Sequence, residues 1–148
     1  MTDYSLMTAA LEGLIEGVPH TVANLANASA LLNDMMENIN WAGFYIVEDG
    51  KLVLGPFQGK PACIEIQIGS GVCGTAVAEN ATMLVPNVHD FPGHIACDCA
   101  SNSEIVVPIR KNGVVIGVLD IDSPEFSRFT EDDRAGLEEF VRTLEKHL

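Results

Sequence analysis

The sequence predicts an α+β domain with one antiparallel sheet and helices on one of its faces. Two observations carry this prediction. Apolar residues recur at the helical period near both ends of the chain, and the middle holds short strand-like segments joined by Asp-Gly and Asn-Gly turn signals. The length of 148 residues suits one domain, which we expect to span residues 1–148.

Four segments have helical patterns. Residues 3–16 and 20–37 repeat apolar side chains at the helical period, and 69–80 begins Gly-rich and becomes a short helix. The last helix starts after Thr130, because Asp133 three residues later resembles a capping box. The predicted apolar positions of the first two helices include Leu6, Leu11, Leu14, Val22 and Leu32.

Between the helices the period changes to that of strands. The predicted strands, about six in number, cover residues 40–48, 51–57, 63–68, 81–86, 104–110 and 114–122. On the first of them Trp41 and Tyr45 are four residues apart and share a face, while Phe44 projects to the other. We expect the helices at the two ends of the chain to cover one face of the sheet. Loops that carry the functional site cover the other.

Composition limits the partners and the location of the protein. The net charge is −13, and a surface this acidic repels phosphate backbones and anionic lipid. We therefore expect neither nucleic acid nor a membrane as a partner. No apolar run reaches the roughly 20 residues of a membrane span, and the first residues carry acids but no Lys or Arg. A cytoplasmic protein is expected.

Residues 86–108 concentrate reactive side chains in a loop that runs into a strand. Cys97 lies in a polar stretch close to His94, and a nearby histidine can hold a cysteine as the nucleophilic thiolate. Composition alone leaves a reactive and an inert Cys97 both open. Zinc bound by His89, His94, Cys97 and Cys99 is disfavoured, because Cys-x-Cys leaves only one residue between ligands. No metal or other cofactor is expected.

Acids and aromatic residues on the strands allow two interpretations each. Asp120 and Asp122 share a strand face, where they mark the end of an apolar stripe or form a carboxylate pair with one raised pKa. Trp41 and Tyr45 either pack in the core or form a wall suited to a cation or to a methyl-bearing sulfur.

Several motifs occur together in one order: NWAGFY, LGPFQGKPAC, GVCGTA, VHDFPGHIACD, SNSEIVVP and GVLDIDSP. From about residue 20 to the last helix, the chain resembles the free methionine-(R)-sulfoxide reductases, which are single-domain GAF proteins. The resemblance implies a GAF-like fold and an oxidoreductase that converts free L-methionine (R)-S-oxide, not the peptide-bound residue, to methionine. The competing function is a non-catalytic GAF module that binds a small molecule as a sensor.

The resemblance also implies the roles of individual residues. It places the catalytic nucleophile at Cys97, the resolving thiol at Cys63 and an auxiliary thiol at Cys73. The substrate-binding residues that it implies are Trp41, Tyr45, Glu104, Asp120 and Asp122. The nucleophile becomes a sulfenic acid and then an intramolecular disulfide, which thioredoxin reduces. Many members are homodimers, and we expect one here.

Cys99 departs from the family pattern, in which a small residue without a thiol is expected at this position. A disulfide between Cys97 and Cys99 would close a very small ring and strain the usual Cα separation. We therefore expect Cys63 to be the productive partner of Cys97 and Cys99 to be dispensable.

The Asn-Gly turn at residues 112–113 leaves two strand registers open. A two-residue loop pairs Lys111 with Val114 and puts Glu104 on the opposite face from Asp120, whereas a three-residue loop sets Glu104 opposite Asp120. The function that the resemblance implies requires the acids to share one face. We therefore predict the three-residue loop, or a bulge with the same effect.

Overall fold

The computed structural model describes residues 1–93 and 100–148. Within these residues the chain forms four α-helices and six β-strands. The helices are α1 (Tyr4–Ile15), α2 (Thr21–Met35), α3 (Gly71–Glu79) and α4 (Glu131–Glu145). The strands are β1 (Trp41–Glu48), β2 (Lys51–Gly59), β3 (Glu65–Gln67), β4 (Met83–Val85), β5 (Ser103–Lys111) and β6 (Val114–Ser123). His94, Cys97 and Cys99, which the sequence pattern singled out, lie outside the described residues.

The six strands form one sheet in the order β3-β2-β1-β6-β5-β4, and every neighbouring pair is antiparallel. The predicted α+β class and number of strands are confirmed. β1 and β6 lie at the centre of the sheet. Residues 41–45 of β1 and 117–121 of β6 are buried.

Helices α2 and α4 pack on one face of the sheet, and α1 packs across both of them. Side chains of this core include Leu11, Leu32, Phe44, Ile105, Leu119 and Leu137. Leu6, Leu14 and Val22 belong to the apolar patterns of α1 and α2, but their exposed fractions are 58%, 44% and 72%. These residues flank the buried stripes of α1 and α2, which are narrower than the apolar pattern indicated.

The other face of the sheet carries α3, which contacts β3, β4, β5 and β6. Trp41, Tyr45, Val106 and Val118 form the core on this side. Because Phe44 lies in the helical core, the predicted alternation along β1 is confirmed. Trp41 and Tyr45 therefore lie on the face that the helices at the two ends of the chain do not cover.

The hairpin between β5 and β6 turns through two residues, Asn112 and Gly113. Both have a positive φ, 54° and 79°, and Lys111 pairs with Val114. This geometry is that of a type I′ turn, whose twist matches the twist of the flanking strands. The predicted three-residue loop is therefore wrong.

A β-bulge corrects the register a few residues beyond this turn. The pairing shifts by one position near the end of β5, and Ile116 is the extra residue on β6. Beyond the bulge Glu104 lies opposite Asp122, not opposite Asp120 as the three-residue loop would require. Asp120 lies two residues before Asp122 on the same face of β6. The bulge therefore brings all three carboxyl groups to one face of the sheet, which is the effect that the prediction required.

α4 begins with the predicted capping box. The Thr130 hydroxyl accepts from the backbone N–H of Asp133, and the Asp133 carboxylate accepts from the backbone N–H of Thr130 at 2.8 Å. None of the helices in the described ranges is both long and apolar enough to cross a membrane.

Candidate active site

A cavity of about 50 Å³ lies between the sheet and the first turn of α3. Six residues that the sequence resemblance assigned to the site line it: Trp41, Tyr45, Cys73, Glu104, Asp120 and Asp122. They come from β1, α3, β5 and β6, so the fold brings together side chains that are far apart in sequence. The neighbour of Cys63, Ala62, also lines the cavity. Cys97 lies outside the described residues.

Three carboxyl groups meet at one side of the cavity. Glu104 and Asp120 are only 7% and 6% exposed, and Asp122 is partly buried. Burial, together with the charges of Asp120 and Asp122, raises the pKa of Glu104 well above its ordinary value of 4.5. Glu104 also shares hydrogen bonds with both aspartates. The cluster therefore holds a proton to a higher pH than an ordinary glutamate does.

An aromatic wall forms the adjoining side of the cavity. The Trp41 ring stacks on Tyr45, with centroids 6.0 Å apart, and on Phe57 of β2, with centroids 5.0 Å apart. Trp41 and Tyr45 are each 2% exposed. A flat apolar surface beside carboxylates suits a ligand with an ammonium group and an apolar sulfur end.

Two glycines make room for this wall. A Cβ on Gly43 would lie 2.2 Å from the Cβ of Phe57 and 2.9 Å from the Trp41 ring. Gly59 has a φ of +139°, and a Cβ there would lie 2.5 Å from the Trp41 ring. The position of the indole therefore depends on the absence of side chains at both sites.

Two described cysteines lie beside the cavity in different states. Cys63 is disulfide-bonded, whereas Cys73 is a free, buried thiol in the first turn of α3. Burial and the nearby charges of Asp120 and Glu104 raise the pKa of the Cys73 thiol well above 9.0. A thiol that retains its proton is a poor nucleophile, so Cys73 does not have the character of an attacking cysteine.

The phenolic hydroxyl of Tyr45 also retains its proton. Burial and the charge of Asp120 raise its pKa above the ordinary value of 10.0. Tyr45 donates a hydrogen bond to the backbone carbonyl of Cys63 at 2.9 Å. The segment that carries Cys63 is thereby attached to the wall of the cavity.

His89, a candidate ligand in the disfavoured zinc site, lies in a 3₁₀ turn, Val88–Asp90. Its Nε2 lies 2.9 Å from Oδ1 of Asn102, and its ring lies 6.3 Å from the ring of Phe126. Among the described residues, Cys73, Glu104 and Asp120 present ligand atoms within 4.8 Å of one another. Because Cys73 and Glu104 retain their protons, the negative charge that favours a cationic ligand group comes from Asp120 and its neighbour Asp122.

The sequence pattern did not identify Phe57, Gly43 or Gly59 as parts of the site. Phe57 reaches the wall because the pairing of β1 with β2 is irregular between Gly43 and Tyr45. An irregular pairing depends on contacts between strands, which the local alternation of one strand does not reveal. The glycine inside the predicted first strand was the available signal, since an isolated strand glycine marks a bulge or a close approach.

The fold and the cavity define the class of the protein, and comparison with known proteins agrees. Residues 27–147 match the GAF domain family. The free methionine-R-sulfoxide reductase of Escherichia coli (strain K12) is 54% identical over 145 residues, covering 98% of this chain and 88% of the relative.

Solved structures give the same result. The fRMsr of Staphylococcus aureus in complex with substrate superposes with a TM-score of 0.96 at 54% identity, covering 100% of this chain and 97% of that one. The free methionine-R-sulfoxide reductase from Neisseria meningitidis in complex with its substrate has a TM-score of 0.94 at 43% identity, covering 97% of this chain and 87% of that one. The chain belongs to the free methionine-R-sulfoxide reductases, a family of GAF domain oxidoreductases, as the sequence motifs implied.

Proposed function

We propose that this protein reduces free L-methionine (R)-S-oxide to methionine, with Cys97 as the nucleophile and Cys63 as the resolving thiol. The observation that carries the proposal is one cavity that combines an aromatic wall with a proton-holding carboxyl cluster. Relatives with this activity in their names, and structural neighbours in complex with their substrates, support it.

The cavity suits the parts of a free amino acid sulfoxide. Asp120 and Asp122 hold the substrate ammonium, since two carboxylates beside a protonated Glu104 attract a cation. The S-methyl group lies against the Trp41 ring, which contacts Tyr45 and Phe57. A peptide-bound residue has no ammonium group at this position, so the free amino acid is preferred.

Glu104 is the proposed proton donor. In the first step the Cys97 thiolate attacks the sulfoxide sulfur, and Glu104 gives its proton to the sulfoxide oxygen. The oxygen leaves the substrate sulfur for the Cys97 sulfur. The sulfoxide is thereby reduced by two electrons to methionine, and Cys97 is oxidised to a sulfenic acid.

The second step returns the enzyme to a reducible form. The Cys63 thiol condenses with the Cys97 sulfenic acid to a disulfide and releases water. A dithiol reductant, which we propose to be thioredoxin, then exchanges with that disulfide and restores both thiols. The disulfide-bonded state of Cys63 is consistent with this scheme. Cys73, buried and protonated, takes the auxiliary position.

A coupled assay tests the proposal. Purified protein with thioredoxin, thioredoxin reductase and NADPH should oxidise NADPH when free L-methionine (R)-S-oxide is added. The N-acetylated sulfoxide should be a poor substrate, because acetylation removes the ammonium charge and adds bulk. A sensor module would bind the sulfoxide without any oxidation of NADPH.

Two cysteine variants give the matched comparison. Cys97→Ser should abolish turnover, since a serine hydroxyl is a far weaker nucleophile without an activating base. Cys99→Ser, two residues away, should retain it. Equal rates in Cys97→Ser and wild type would overturn the assignment of the nucleophile, and comparable kcat/KM for free and N-acetylated sulfoxide would overturn the proposed recognition.

We also propose that the enzyme is a cytoplasmic homodimer. The family resemblance supports the dimer, and the composition of the sequence supports the location. Sedimentation equilibrium of the purified protein measures its mass in solution, and a monomer at micromolar concentration would contradict the dimer.

A further inference from the structure

A short segment, residues 60–64, connects β2 to β3 beside the cavity, and we call it the strap. Pro61 and Ala62 in its middle line the cavity. Its C-terminal end is fixed to the sheet, because the backbone N–H of Leu54 donates to the carbonyl of Ile64 at 2.9 Å. Cys63 is the residue immediately before this anchor.

The two aromatic residues of the cavity wall hold the rest of the strap. Trp41 Nε1 donates to the carbonyl of Lys60 at 3.1 Å, and the Tyr45 hydroxyl donates to the carbonyl of Cys63 at 2.9 Å. Both donors are side chains of the central strand β1, and both are 2% exposed. The strap is therefore tied to a central strand of the sheet at its start and at the cysteine itself.

We propose that the Tyr45 hydroxyl is a positioning group for the resolving step, because it fixes the backbone of Cys63 where its sulfur can meet the sulfenic acid. This inference rests on the proposed role of Cys63 as the resolving thiol. It gives Tyr45 a second task besides its ring contact with Trp41. The hydroxyl donates its one proton to the Cys63 carbonyl, so the inference assigns the hydroxyl to the second step and the ring to substrate contact.

Disulfide chemistry explains why a backbone tether matters. Condensation of Cys–SOH with Cys–SH forms one S–S bond and releases one water molecule, and it requires the two Cβ atoms to approach within roughly 3.5–4.5 Å. A strap held only at Ile64 and Lys60 can rotate about the bonds between them. The tether at Cys63 removes this freedom before the reaction occurs.

The environment of Tyr45 maintains the tether. Burial and the neighbouring carboxylates disfavour loss of the phenolic proton, so the hydroxyl remains a donor across the working pH range. The hydrogen bond is present while Cys63 is disulfide-bonded. The tether is therefore compatible with a bonded sulfur on Cys63.

Tyr45→Phe tests the inference, because it removes the hydroxyl and keeps the ring. In a single turnover of reduced enzyme with one equivalent of sulfoxide, methionine release reports the first step. The lifetime of a dimedone-reactive sulfenic acid reports the second. We expect a sulfenic acid that persists roughly 3- to 10-fold longer than in wild type, the effect of losing one hydrogen bond, and a smaller change in the rate of methionine release.

The chain offers a matched control in its other tyrosine. The Tyr4 hydroxyl is also partly buried and donates to Asp133 at 2.6 Å, on the helical face of the sheet. Tyr4→Phe loses a comparable hydrogen bond far from the cavity, and both steps should keep their wild-type rates. Equal slowing of both steps by Tyr45→Phe, or slowing of neither, would overturn the positioning role.

Cys63→Ser separates this inference from the function on which it rests. If Cys63→Ser forms a disulfide as fast as wild type, the resolving role of Cys63 is wrong, and the inference is wrong with it. If Cys63→Ser accumulates sulfenic acid while Tyr45→Phe resolves at the wild-type rate, only the positioning role is wrong. If Cys63→Ser accumulates sulfenic acid and Tyr45→Phe delays its resolution alone, both are supported.

Discussion

Replacement of Glu104 by glutamine should change how the stability of the protein depends on pH. Glu104 is 7% exposed and lies opposite Asp122, with Asp120 on the same face. Its pKa is raised well above 4.5 by burial and by these two aspartates. The side-chain amide of glutamine has nearly the same shape and two N–H donors for the aspartates, so Glu104→Gln should fold.

The sign of the effect follows from proton binding. Because the pKa of Glu104 is higher in the folded than in the unfolded chain, the folded protein binds one more proton between the two values. The stabilisation that this proton provides is complete below about pH 4.5 and is lost as pH rises through the folded pKa. Within that window one proton is worth about 1.4 kcal/mol of unfolding free energy per pH unit.

Urea unfolding of the reduced protein without substrate, at a series of pH values above 4.5, measures this slope. Wild type should lose about 1.4 kcal/mol more than Glu104→Gln for each unit of rising pH. Glu79→Gln is the matched control, because Glu79 is exposed at the end of α3, and its slope should follow that of wild type. If the unfolding free energies of wild type and Glu104→Gln change with pH at the same slope, Glu104 does not hold an extra proton in the folded protein, and the reasoning is refuted.

Three further predictions follow from other parts of the structure. Gly43→Ala should destabilise the protein by about 1–3 kcal/mol in urea unfolding and raise KM, because the new methyl group overlaps Phe57 and displaces Trp41; unchanged stability and KM would contradict this. Cys73 should resist iodoacetamide in the native protein and react after unfolding, as peptide mapping would reveal, because it is buried and protonated. Thr130→Ala should cost about 1 kcal/mol of stability by removing the helix cap, while kcat measured in the coupled assay stays unchanged.

The spacing of residues along the sequence was sufficient to predict which side chains of β1 share a face. It was not sufficient to predict the pairing register of β5 with β6. Trp41 and Tyr45 are four positions apart, and an undistorted strand puts residues an even number of positions apart on one face. The bulge at Ile116 depends instead on a close approach between β1 and β6, where a Cβ on Gly117 would lie 2.6 Å from the carbonyl oxygen of Tyr45. A contact between strands far apart in sequence leaves no periodic signal.

In the chemistry of the site, too, the sequence predicts one part and the assembled fold decides another. The residue types and motifs indicated carboxylates and thiols, but they left open which acid holds a proton. That distinction depends on burial, and burial is a property of the assembled fold. Burial separates Glu104 from Asp122, which lies opposite it and is partly exposed, whereas Asp120 is as buried as Glu104. The raised pKa of Glu104 comes from this burial together with the charges of both aspartates, so it is a property of the three-dimensional arrangement.

The central claim is that one cysteine attacks the sulfoxide and a second one resolves the product, and a burst experiment with Cys63→Ser tests it most directly. The reduced variant is mixed with excess free L-methionine (R)-S-oxide without a reductant, methionine is quantified, and the protein is treated with dimedone and mapped. We predict release of about one equivalent of methionine per protein and a dimedone adduct on Cys97. Adduct formation at Cys73, or no release of methionine at all, would contradict the account.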